Sequence, residues 1–195
     1  MNLGEFVGGI GTVDLLIILY FIGFFVLGFA QGTIRRVIGI LSILFSFLFA
    51  ASLNGPLGSF LADHWTQFVR EYSYMIAFGL VFSASAIALA LIVQSYYKPQ
   101  QLFQKARFAD EILGGILGLL QAALIFGAVL VILDSFFLIP NIAPDPQELP
   151  FLRSFWNGIT DTQFAVLFRN SLIPAAFVLV GLFVPEKIKA LYGVR

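Results

Sequence analysis

Residues 15–34 read LLIILYFIGFFVLGFAQGTI, twenty positions without a charge between Asp14 and the pair Arg35-Arg36. A charged side chain is costly at the centre of a bilayer, and a helix needs about 17–25 apolar residues to cross it. This stretch therefore reads as a transmembrane helix. The same gap recurs at residues 37–62, 72–97 and 112–133. In the second gap the apolar part stops at Leu53, ahead of Asn54-Gly55-Pro56, a sequence that breaks helices. Four spans are expected, at about 14–34, 37–53, 74–97 and 112–138.

Composition agrees. Of 195 residues, 59% are hydrophobic and only 11% charged, and the mean hydropathy is +0.95. Soluble domains carry roughly 25% charged residues, so a soluble enzyme is excluded. Zero net charge argues against nucleic acid. The chain has no cysteine and a single histidine, His64. Disulfides, Fe–S clusters, thiolate zinc sites and multi-histidine metal centres therefore drop out. The fold class is all-α, a polytopic membrane helix bundle in one domain, 1–195.

The third span is bracketed by Tyr72 and Tyr74 at one end and Tyr96 and Tyr97 at the other. From Tyr74 to Tyr96 a helix rises about 33 Å, close to the ~30 Å core with its aromatic belts. Residues 57–72 place Leu57, Phe60, Leu61, Trp65, Phe68, Val69 and Tyr72 on one helical face. This predicts an amphipathic helix on the outer leaflet or over the bundle. Leu152, Phe155, Trp156 and Ile159 form a second such face. Pro140, Pro144, Pro146 and Pro150 mark an extended connector over 139–150. Residues 170–185 are uncharged but include Asn170, Ser171 and Pro174. The apolar helix expected at about 171–184 is interfacial or re-entrant, or else a fifth crossing with Arg169 snorkelling.

Lys and Arg set the orientation. Arg35 and Arg36 lie in the first loop, and Lys98, Lys105 and Arg107 in the third; the second loop has only Arg70. Loops 35–36 and 98–111 are thus expected in the cytoplasm and the N-terminus outside. Lys187, Lys189 and Arg195 would then lie outside in a four-helix chain, and a fifth crossing would bring them in.

Small residues let helices approach closely in lipid. Gly114, Gly118 and Ala122 form one stripe, and Gly28 and Gly32 share that spacing at the same end of the bundle. They are expected to pack against each other or to form a dimer face. The four uncharged runs hold no ionisable group. Asp14, Asp110, Glu111 and Asp134 sit at helix ends, where caps and water can serve them. Gln121, near the middle of the fourth helix, is expected to hydrogen-bond a neighbouring helix. HExxH, GxxxxGK[ST] and GxGxxG patterns are all missing. No cofactor is implied, and catalysis has no visible carrier.

Several of these features also form a pattern. Asp14 opens the first helix, which closes on Gly28-Phe-Ala-Gln-Gly32-Thr-Ile-Arg35. Asp110-Glu-Ile-Leu-Gly114-Gly-Ile-Leu-Gly118 enters the fourth helix. Ser171-Leu-Ile-Pro174 and Val184-Pro185-Glu186 close the chain. In order and spacing this resembles the CvpA family, the colicin V production proteins. Relatives often have arginine where Gln31 stands, and Arg-Gly where Gln121-Ala122 stand. The resemblance implies a bacterial inner-membrane protein of about four helices. It would be non-enzymatic and support envelope homeostasis, toxin or bacteriocin production, or export. Its contacts would be with the lipid bilayer, with other membrane proteins or with further copies of itself. The alternative is a small transporter or channel subunit, suggested by the glycine-rich helix ends and Gln121.

Overall fold

The computed structural model describes residues 11–96, 107–139, 148–180, 184 and 186–193. Their regular structure is entirely helical. Four long helices alternate in direction along the chain: α1 (Thr12–Gln31), α2 (Thr33–His64), α3 (Arg70–Tyr96) and α4 (Arg107–Phe137). Each is long and apolar enough to cross a membrane. Four shorter elements follow α4 in the chain. These are α5 (Pro150–Thr160), α6 (Gln163–Leu167), α7 (Ile173–Val180) after a π-helical turn Phe168–Leu172, and α8 (Glu186–Leu191).

α1 begins where the Gly11 amide donates to Asp14 Oδ2 at 3.0 Å, an acidic first turn serving a free helix-end donor. It ends at Gly32, whose φ of +76° suits a residue without a Cβ. One residue therefore separates α1 from α2. α1 packs on α4 and α2 on α3, while α4 touches both pairs. Leu15, Leu16, Leu19, Ile22 and Val26 of α1, and Leu80, Ile87 and Leu91 of α3, face outward. An apolar exterior is what lipid favours. Tyr72, Met75, Phe78, Leu130 and Phe136 fill the core near the Asp134 end.

The structure departs from the expected division in two places. First, Asn54-Gly55-Pro56 does not end a helix: α2 runs through Pro56 to His64. Packing overrides the local breaker. A Cβ on Gly58 would collide with the Tyr74 ring of α3, and Leu61 is buried. The α2–α3 seam thus holds the extension despite the amide missing at Pro56. No separate helix covers 57–72. Residues 57–64 complete α2, 65–69 form a turn, and 70–72 open α3. Tyr72, expected at the interface, is fully buried, and its hydroxyl accepts the Leu149 amide at 3.0 Å.

Second, the C-terminal helix starts at Gln163, well ahead of the expected 171. Phe164 stacks on Phe21 of α1, near Asp14, and Phe168 packs edge-on to Phe126 of α4. Leu172 and Ile173 share a cavity with Leu124, about 15 Å along α4 from Asp134. The chain then returns, and the Tyr192 hydroxyl donates to Asp134. Phe164, beside Asp14, and Tyr192, on Asp134, thus lie at the same end of the bundle. Among the described residues Gln163–Val178 is a shorter apolar helix than the four long ones. The connector residues 140–147, the loop lysines Lys98 and Lys105, and Tyr97, Pro185 and Arg195 lie outside the described residues.

Candidate functional site

The α1–α4 seam is backbone against backbone. A Cβ on Gly28 would run into the Gly114 carbonyl, and one on Gly118 into the Phe24 carbonyl. A Cβ on Gly115 would lie 2.7 Å from the Phe25 ring. Ala122, one turn further, is buried, and its carbonyl accepts the Tyr20 hydroxyl at 3.0 Å. At the end of this seam the Asp110 carboxylate accepts the Thr33 amide at 3.4 Å. The Thr33 hydroxyl donates to the Asp110 carbonyl at 3.0 Å. A Cβ on Gly32 would sit 2.7 Å from Asp110 Oδ2. Gly28, Gly32, Asp110, Gly114 and Gly118 thus form one joint, fixing the α1–α2 hinge to the start of α4.

Asp14 lies at the opposite end of α1 and is also buried. It accepts the Gly11 amide and, at 3.5 Å, the Phe164 amide in the first turn of α6. Protein donors serve both Asp14 and Asp110, within the helix end and from neighbouring segments.

Asp134 is the largest correction. Its side chain is 0% exposed. Oδ1 accepts Trp156 Nε1 at 2.9 Å and Arg169 Nη2 at 2.6 Å. Oδ2 accepts Arg169 Nε at 2.7 Å and the Tyr192 hydroxyl at 2.7 Å. The remaining guanidinium nitrogen, Nη1, donates to the carbonyl and hydroxyl of Thr160 at 2.8 and 3.0 Å. One carboxylate therefore joins α4, α5, the π-turn and the segment after α8. Four donors occupy it, which leaves it no geometry for abstracting a proton from a substrate. Burial, then Asp134, pushes the Tyr192 phenol above its ordinary range. Nearby, Arg153 pairs with Glu148 at 2.6 and 2.8 Å, and that hydrogen bond raises the guanidinium above its ordinary value against the opposing effect of burial.

The π-turn places Arg169. Proline offers no amide and crowds the carbonyl four residues back, and Pro174 follows one residue after the turn. The Ile173 amide instead reaches Phe168 O, an i→i−5 bond. Ser171 is exposed on this turn. Reading the sequence missed the Asp134–Arg169–Trp156–Tyr192 cluster, because nothing local links positions 35 residues apart. A lone Arg169 ahead of an apolar run was the only available signal.

A buried cation lies at the glycine end. Arg36 is 5% exposed and Nη1 donates to Gln121 Oε1 at 2.8 Å. Gly39 makes room for this, since a Cβ there would be 2.8 Å from Gln121 Nε2. Gln121 does bond a neighbouring helix, and its partner there is a cation. Arg35, half-buried, is beside it. No group of three or more His, Asp or Glu able to hold a metal occurs among the described residues.

A family model described as "Colicin V production protein" matches residues 13–173. That stretch includes Asp14, the glycine joint, Asp134 and Arg169 but ends before Tyr192. No curated protein and no solved structure matches the chain.

Proposed function

The chain belongs to the colicin V production protein family, and from that premise we propose that it is a non-enzymatic inner-membrane protein. It supports toxin or bacteriocin production, export or envelope homeostasis through contacts with other membrane proteins or further copies of itself. The observation that carries this reading is the use made of the buried carboxylates. Asp14, Asp110 and Asp134 each fasten one segment to another through protein donors. That is the economy of a rigid scaffold. The orientation proposed from the basic loops puts the Arg35 end in the cytoplasm, with the C-terminal apolar segment, read as re-entrant, on the outer side.

Chemical cross-linking in membranes, followed by purification of the full chain, tests the reading. A stoichiometric partner or homo-oligomer is expected; a particle that stays monomeric and partnerless overturns it. Reporters fused after residue 195 should read outside, on the same side as the N-terminus. A second reading, a small transporter or channel subunit, is favoured by the buried Arg36–Gln121 pair. Solute flux in liposomes containing the purified chain alone would support it.

A further inference from the structure

Arg36 has more hydrogen-bond donors than the protein uses. Its single hydrogen bond goes to Gln121, a neutral amide, and its Nε is buried without a partner among the described residues. No carboxylate lies within ion-pair distance of it among those residues. The two acidic residues at this end are engaged elsewhere, Asp110 with Thr33 and Glu111 with Arg107 at 2.8 Å. The connecting segment 97–106 adds two lysines and no carboxylate by sequence. An arginine in such surroundings is expensive unless something negative meets it.

The space for that partner is present. Arg36 lines a cavity of about 180 Å³ between α2, α3 and α4, with Arg35, Gln31, Gln121, Gly39 and Ala90 among its walls. The volume is ample for several waters or a small oxyanion. Two guanidinium groups and three carboxamides, those of Gln31, Gln94 and Gln121, line it and make an oxyanion-binding set, because the planar Arg fork matches phosphate oxygens. The cavity begins beside the first turn of α2 and runs along it to Ile43, so the positive end of the helix dipole lies at its Arg35 side. Gly39 and Ala90 keep it from being filled by side chains.

We propose that this cavity is a binding site for a phosphate-bearing anion, gripped by Arg36 and Arg35 with Gln121 orienting Arg36. The phosphate comes either from an acidic lipid headgroup, since the cavity lies near the helix ends, or from free phosphate. The proposal does not depend on the toxin-production reading.

The test uses the full chain in two arms. Nanodiscs of mixed phosphatidylglycerol and phosphatidylcholine, read by native mass spectrometry, report the lipid source. Titration of inorganic phosphate into the chain in neutral detergent, read by calorimetry, reports the free source. Retention of phosphatidylglycerol over phosphatidylcholine, or saturable phosphate binding, is expected in one arm. Arg36→Gln should weaken it by roughly tenfold or more, as loss of charge-assisted hydrogen bonds would. Gln121→Glu is the decisive variant, because a carboxylate there sits against Arg36 and replaces the anion. It should abolish binding while the melting temperature holds or rises, which separates the result from misfolding. Wild-type binding in neither arm overturns the proposal, and so does undiminished binding by Gln121→Glu.

Discussion

Two arginines bond polar side chains inside this bundle, Arg36 buried and Arg169 half-buried, and the protein treats them in opposite ways. Arg169 faces a fully occupied carboxylate and donates through all three guanidinium nitrogens. Arg36 faces one amide oxygen and keeps a buried nitrogen unpaired. A buried charge with every partner in place acts as a fastener. One left short of partners retains binding capacity that the fold does not consume. The first centre therefore reads as structure, and the second as a place where something else binds.

The contrast can be broken most directly at Asp134. Asp134→Leu or Arg169→Met alone should cost about 3–5 kcal/mol, because each strands the other charge within the bundle. The double variant should recover much of that loss. Unfolding in detergent, followed by circular dichroism, measures the cycle. Singles no worse than the double would remove the fastening role. Next in size is the glycine joint. Gly118→Val pushes a side chain into the Phe24 carbonyl and should cost about 1–3 kcal/mol by overpacking. Gly158→Ala, with open space around it in α5, should instead gain about 0.5–1 kcal/mol.

A smaller effect is expected at Tyr192. Removing its hydroxyl in Tyr192→Phe should cost about 1 kcal/mol near neutral pH. Because burial and Asp134 raise this phenol, the folded state keeps a proton that the unfolded chain releases above about pH 10. The contribution is thus complete below that pH and is lost as pH climbs beyond it. Tyr192→Phe should flatten the alkaline fall in melting temperature, and an unchanged slope would count against the assignment. The smallest change belongs to Arg36. Arg36→Gln removes a buried charge with no carboxylate partner, so stability should hold within about 1 kcal/mol or rise. A loss as large as that of Arg169→Met would erase the contrast between the two arginines.

Much of the bundle is legible from the charge gaps, because desolvation makes every charge-free run of sufficient length a candidate span. The glycine stripes are legible for a related reason: only small residues permit the approach seen at Gly28 and Gly114. Asn54-Gly55-Pro56 misleads because its cost is local, whereas the contacts of Gly58 and Leu61 that outweigh it come from elsewhere in the chain. Tyr72 misleads similarly: its hydroxyl suits an interface, yet the Leu149 amide supplies its partner inside.

Spacing and scarcity of charge determined that this chain is an all-α membrane bundle with four long helices, since those costs are set residue by residue. They also fixed which residues were available to join α1 to α4. Only the tertiary structure decided how each ionisable group is partnered. Arg169 can reach Asp134 because Pro174 follows a π-turn and the chain folds back into the bundle. Arg36 remains short of partners because α2, α3 and α4 leave a cavity beside it. Hydrogen bonding depends on distance in space, and distance along the sequence does not encode it.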